Sequence, residues 1–100
     1  MITKIIASPV KHKRFRVFMD TGKHYDFGLK DGSTYIDHKN KTIRENYLKR
    51  HMANETEKYL IENLIPSASL FSAMLLWGKY TDLSKNINYL NNLWKLKHKK

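Results

Sequence analysis

The chain has 100 residues, with 19 Lys and Arg against 9 Asp and Glu, giving a formal net charge of +10. That length supports one domain with a single modest core, and 41% hydrophobic with 12% aromatic residues is enough to fold it. The complete absence of cysteine excludes disulfides and thiolate zinc sites. A charge of this size points to a polyanionic partner, although a lysine-rich surface also serves solubility alone.

The opening residues MITKIIASPVKHKRF lack the apolar core of about 7–15 residues that a secretory signal needs. The most apolar run, Leu70–Trp77, is far shorter than the ~20 residues of a bilayer span. The expectation is an intracellular protein, not secreted and with no membrane span.

In chain order, Ile2 to Ala7 reads as a strand that stops before Pro9. In KRFRVFMD, Phe15, Val17 and Met19 alternate with Arg14, Arg16 and Phe18, the period of a half-buried strand. Asp20-Thr21-Gly22-Lys23 supplies turn chemistry, with Gly22 free to take positive φ. KHYDFG then puts Tyr25 and Phe27 on one face, which completes a hairpin that Gly28 ends. After the Asp31-Gly32 turn, Ser33 to Ile36 reads as a further strand.

The rest reads as helix. Lys41 to Met52 contains neither Gly nor Pro, and Asn40 is its expected N-cap. A weaker helix runs from Asn54 or Glu55 to about Asn63 and is broken by Pro66. Ser67 caps a nearly all-apolar core helix that ends at Gly78, and Thr81 or Asp82 caps the last one. In that last helix Leu83, Ile87, Leu90 and Trp94 form one stripe, and Trp77 and Trp94 are expected core anchors. Strands first and helices afterwards indicate an α+β fold: an N-terminal hairpin or three-stranded antiparallel sheet followed by three to four α-helices. The whole of 1–100 is read as one domain, with sheet at about 2–36, helices at about 41–97 and a solvated basic tail at 95–100.

The segment YIDHKNKTIRENYLKRH, Tyr35 to His51, mixes basic and aromatic residues in a way that suits a phosphate backbone and its bases. On the helix Lys41–Met52, Ile43, Tyr47, Leu48 and Met52 define an apolar arc, and Arg44 and His51 fall inside it. Charged groups so placed need partners, for which Asp37 and Glu55 stand nearby. Arg44 and His51 then either pin the helix against the sheet or line a cleft and hold a phosphate or other anion. A second basic surface is the strand face bearing Arg14 and Arg16, flanked by Lys11 and Lys13, as a stacking platform or simply a solvated face. No catalytic, metal-binding or phosphate-loop motif is complete: His12, His24, His38 and His98 lack ligand spacing, and Thr21-Gly22-Lys23 lacks the upstream glycines of a P-loop.

Several motifs follow one another in a distinctive order: Asp26-Phe27-Gly28; Tyr35, His38 and Lys39; Arg44, Tyr47, Arg50 and His51; and Ser72, Leu75, Leu76, Trp77 and Lys79. That order, over about residues 13 to 90, resembles a family of small basic proteins of nucleocytoplasmic large DNA viruses, the giant viruses of algae and amoebae. The chain departs from the family pattern at Ala68-Ser69-Leu70-Phe71-Ser72 and at His51-Met52-Ala53-Asn54-Glu55, where Gly-containing stretches are usual. The resemblance implies a viral origin and a shared fold, and no assigned activity.

The leading expectation is a non-enzymatic viral accessory protein that binds nucleic acid, DNA first, without sequence preference. The contacts would come from Arg14, Arg16, Lys39, Lys41, Lys49 and Arg50, with Arg44 and His51 as an anion site. Such a protein would be packaged in the virion or found in the infected-cell cytoplasm or virus factory. It would need no cofactor and no metal. The alternative is a minor structural protein of the virion that docks to a capsid or core component, and a weaker one is an enzyme using Arg44 and His51.

Overall fold

The computed structural model describes residues 1–97. Three strands come first, β1 (Ile2–Ala7), β2 (Lys13–Met19) and β3 (His24–Leu29), forming an antiparallel sheet in the order β1-β2-β3. Five α-helices follow, so the chain has the α+β arrangement that its strands-first pattern implies.

The hairpin is built by alternation and by its turn. Phe15 pairs with Phe27 and Val17 with Tyr25, and the Phe15 and Phe27 rings lie 6.0 Å apart. Val17, Met19 and Phe27 are buried. Between Met19 and Lys23 the chain turns through Asp20-Thr21-Gly22, with Gly22 at φ 89° and its N–H donating to the Met19 carbonyl at 3.0 Å. Strand β3 does not end at Gly28 but runs through it to Leu29. Gly28 has φ 78°, and a Cβ there would lie 2.9 Å from Leu76 Cδ1, so the bare backbone lets the sheet approach a helix closely.

The sheet stops at Leu29, and the strand expected at Ser33–Ile36 is a helix instead. α1 (Tyr35–His38) begins after Thr34, whose N–H and hydroxyl both donate to Asp37 Oδ2 at 2.8 Å. This is capping-box chemistry, in which the side chain three residues into the helix satisfies the cap. The bonds that would extend a strand are thereby used to start a helix. Because α1 is an element the strand reading lacked, the described residues form five α-helices rather than three to four.

α2 (Lys41–Met52) starts where expected, with Asn40 Oδ1 accepting from Ile43 N–H. α3 (Glu55–Glu62) uses Asn54 as its cap and ends with Leu64 in the left-handed region at φ 54°. There the Leu64 N–H donates to Ile61 and the Ile65 N–H to Leu60, a Schellman closure made without glycine. The Trp94 indole donates to the Leu64 carbonyl at 2.8 Å and holds this turn against the last helix.

α4 (Ala68–Phe71), capped by Ser67, continues into a π turn over Ser72–Leu76, where Trp77 N–H reaches back to the Ser72 carbonyl. A π turn leaves carbonyls at its end without intrahelical donors. Two distant side chains supply them. Asn86, fully buried, donates to the Leu75 and Tyr80 carbonyls and accepts from Tyr80 N–H, while Arg44 Nε donates to the carbonyls of Trp77 and Gly78. Gly78 is required here, since a Cβ would lie 2.0 Å from the Met74 carbonyl oxygen.

α5 (Leu83–Lys97) is capped by Asp82, whose carboxylate accepts from Lys85 N–H, and it closes the core. Trp77, Trp94, Leu75, Leu90, Val17 and Phe27 are buried, as the sequence leads one to expect. Leu83 and Ile87 are only partly buried, and Asn86 takes the central place on that stripe. Of the expected basic tail, Lys95–Lys97 form the end of α5, and residues 98–100, including His98, lie outside the described residues. No helix among the described residues is long and apolar enough to cross a membrane.

Candidate functional site

The cations singled out by sequence divide into two groups. Arg14 makes a two-pronged ion pair with Asp37, with both N–O distances at 2.7 Å, and a further contact to the Thr34 hydroxyl at 3.3 Å. The guanidinium holds the Asp37 carboxyl well below the usual carboxylate range, and the carboxylate in turn raises Arg14. Arg16 binds Asp26 through Nε and one terminal nitrogen, and Ser8 donates its hydroxyl to the same carboxylate at 2.6 Å. Asp26 is accordingly lowered, chiefly by Arg16. Both arginines are about four-fifths buried as side chains. On the expected basic strand face both arginines are held in ion pairs, Arg14 to the exposed Asp37 and Arg16 to the part-buried Asp26.

Lys39, Lys41, Lys49 and Arg50 are exposed, and none makes a salt bridge among the described residues. Lys39 sits in the left-handed region at φ 58° as the C-cap of α1, and the other three project from α2. Lys39 and Lys41 stand at the α1–α2 corner, and Lys49 and Arg50 stand in the last turn of α2.

Arg44 and His51 are both half-buried, but neither pairs with the carboxylate expected of it. Asp37 is taken by Arg14, and Arg44 is satisfied by the two backbone carbonyls and lies 5.4 Å over the Tyr35 ring. His51 pairs through Nδ1 with Glu57 at 2.9 Å, not with Glu55. Glu55 would stand one turn beyond His51 only on an unbroken helix. The chain breaks at Ala53-Asn54, and the next helix delivers Glu57 instead. Ile43, placed on the apolar arc by its periodicity, is 46% exposed.

Between Arg44 and His51 on α2 stands Tyr47, stacked on Trp77 at 4.0 Å and 6°, with the His51 ring 4.1 Å away. Burial pushes the Tyr47 phenol up to about 12, helped by the Glu57 carboxylate. These groups border a cleft of about 460 Å³ between the open end of the hairpin and α2, α3 and α4. Its walls carry Lys13, Arg50, His51, Glu57, Ser69 and Ser72. Ser69 donates to the same Glu57 oxygen as His51, at 3.3 Å. With Nδ1 engaged, His51 Nε2 has no hydrogen-bond partner among the described residues and is not sealed from solvent. Neither Glu57 nor Ser69 is marked as a site residue in the sequence, and Ser72 enters there only as part of the motif, since two helix breaks separate α2 from the residues the fold brings to it.

His38 stands apart from the cleft. Its Nδ1 accepts from Asn40 N–H at 2.9 Å, which puts the proton on Nε2, a buried atom without a partner beside the Trp77 ring. No group of three or more His, Asp or Glu side chains converges on a metal position among the described residues.

The profile of a family of unknown function (DUF5754) matches residues 3–51. That stretch contains the sheet, α1 and nearly all of α2, and with them Lys39, Lys41, Lys49, Arg50 and His51, but neither Glu57 nor Trp77. No curated protein and no solved structure matches the chain.

Proposed function

We propose that the protein binds nucleic acid, DNA first, with little sequence preference, through the exposed cations Lys39 and Lys41 at the start of α2 and Lys49 and Arg50 at its end. The observation that supports this most is the division of the cations: the strand arginines are consumed by carboxylates, while these four are exposed and unpaired among the described residues. Free cations release condensed counterions from a phosphate backbone, and paired ones do not.

Lys41 adds weight. It occupies the first turn of α2, which has no acidic residue, so its charge opposes the helix dipole at a cost of roughly 0.3–1 kcal/mol. A residue that works against its own helix fits selection for something other than stability. The role is one of binding rather than catalysis. Placement as an accessory protein of a large DNA virus rests on the motif resemblance alone.

The test is fluorescence anisotropy with random-sequence DNA and RNA at several salt concentrations. If each of the four cations reaches one phosphate, the log–log salt slope on duplex DNA is about −3.6. Lys49→Gln with Arg50→Gln weakens binding on every sequence alike and flattens the slope by about half. Absence of binding at low salt, or binding that ignores salt, overturns the proposal.

A further inference from the structure

We infer that the cleft beside α2 is a binding site for a nucleoside phosphomonoester, either a free mononucleotide or the phosphorylated end of a strand held by the exposed cations of α2. The strand-end form rests on the nucleic-acid reading above. The site is defined by what converges on it: Lys13 from β2, Arg50 and His51 from α2, and Ser69 and Ser72 from the α4 region, around about 460 Å³. That is within the size of small-molecule sites, roughly 300–1,000 Å³, and accommodates one nucleotide.

The imidazole is held for this use. Glu57 accepts at Nδ1 and Tyr47 packs against the ring, so the orientation of His51 is fixed while Nε2 stays solvent-accessible. Glu57 Oε1 is itself occupied by His51 and Ser69, so that oxygen is turned to its own partners while its charge remains. The Lys13 and Arg50 charges outnumber that one carboxylate in the lining of the cleft. A monoester carries about −1.5 to −2 charges at neutral pH and three terminal oxygens, which matches that donor set better than an internal diester with its single charge.

Arg50 belongs to both surfaces, and this is what connects them. A strand held at Lys49 and Arg50 lies next to the cleft that Arg50 and His51 line, so its phosphorylated end is within reach of that cleft.

The experiment compares one random-sequence single strand with and without a 5′-phosphate, and a nucleoside 5′-monophosphate with its nucleoside, by anisotropy and calorimetry. The phosphorylated strand is expected to bind roughly tenfold more tightly than its unphosphorylated twin. Lys13→Gln and His51→Gln each remove that advantage and leave the unphosphorylated strand unaffected. Lys13 makes no salt bridge among the described residues, so its variant serves as the control if His51→Gln is poorly folded. Equal affinity for the two strands, with no binding of the monophosphate, overturns the cleft site and leaves the nucleic-acid reading standing. Binding of the monophosphate with neither strand bound supports the site as one for free mononucleotides and overturns the nucleic-acid reading.

Discussion

Arg44 and Asn86 share the carbonyls left without helical donors after the π turn: Asn86 takes Leu75 and Tyr80, and Arg44 takes Trp77 and Gly78. One side chain comes from α2 and the other from α5. The irregular end of the central helix is thus completed by two residues that are themselves far apart in sequence. A charge buried on α2 becomes intelligible as a cap, with the positive group where the helix dipole favours it.

Arg44→Ala is expected to lower unfolding free energy by about 1.5–3 kcal/mol, because two carbonyls lose their donor and the Tyr35 contact is lost with it. Arg44→Lys recovers only part, since an ammonium lacks the planar fork. Urea unfolding measures both. An unchanged midpoint in Arg44→Ala would show that the cap carries no stability.

Asn86→Ala removes three hydrogen bonds from a fully buried position and should cost about 3 kcal/mol. Asn86→Leu is no remedy, because it fills the space and still leaves the Leu75 and Tyr80 groups unpaired. Loss of amide protection at Tyr80, read by hydrogen exchange, separates this cause from a simple packing defect.

Acid should destabilise the fold through Asp37 and Asp26. Both carboxyls lie below their unfolded values, so the native state favours the ionised form. Their contribution is complete above the unfolded value of about 3.9 and is lost as pH falls through the lower, folded values. The thermal midpoint should therefore be insensitive to these groups at neutral pH and fall below about pH 4. Asp37→Asn should start lower and decline less steeply in that range, and an identical acid limb in the variant would contradict the assignment.

Arg14→Ala and Arg16→Ala offer a contrast with the α2 variants. Each strips a partner from a carboxylate and should lower stability by roughly 1–3 kcal/mol, with Arg14 also loosening the start of α1. Neither should change the salt slope of nucleic-acid binding by a full phosphate. A slope that falls by about one unit in either variant would put that arginine on the nucleic acid after all.

How far sequence carries can be seen residue by residue. Asn40 and Ser67 are visible as caps, and Asp82 as one of two candidates, because capping is local chemistry. Asn54 reads only as a possible first residue of its helix and turns out to be the cap. Thr34 and Asp37 form a fifth signal of the same kind, overridden in the strand reading by the β-favouring Tyr35 and Ile36. The mismatch on α2 was legible too, since Arg44 and His51 do occupy its inner side. Their partners were not. Arg44 is answered from 33 and 34 residues away, and Glu57 lies across a helix break that periodicity cannot span. Asn86 stood in view on an apolar stripe, but its purpose depends on a π turn that leaves no mark in the pattern of apolar residues.

The paired bonds between Ile2 and Asn91 have a bearing on the order of folding. Asn91 accepts from the Ile2 N–H and donates to the Ile2 carbonyl, so a side chain from the last helix does for β1 what a neighbouring strand would do. The separation is 89 residues, and closing so long a loop is entropically costly and slow unless much of it is already compact. The hairpin of β2 and β3 can assemble from local contacts as soon as it is synthesised. The edge at Ile2 has to wait for α5, so until then the nascent sheet presents an unguarded end to other chains.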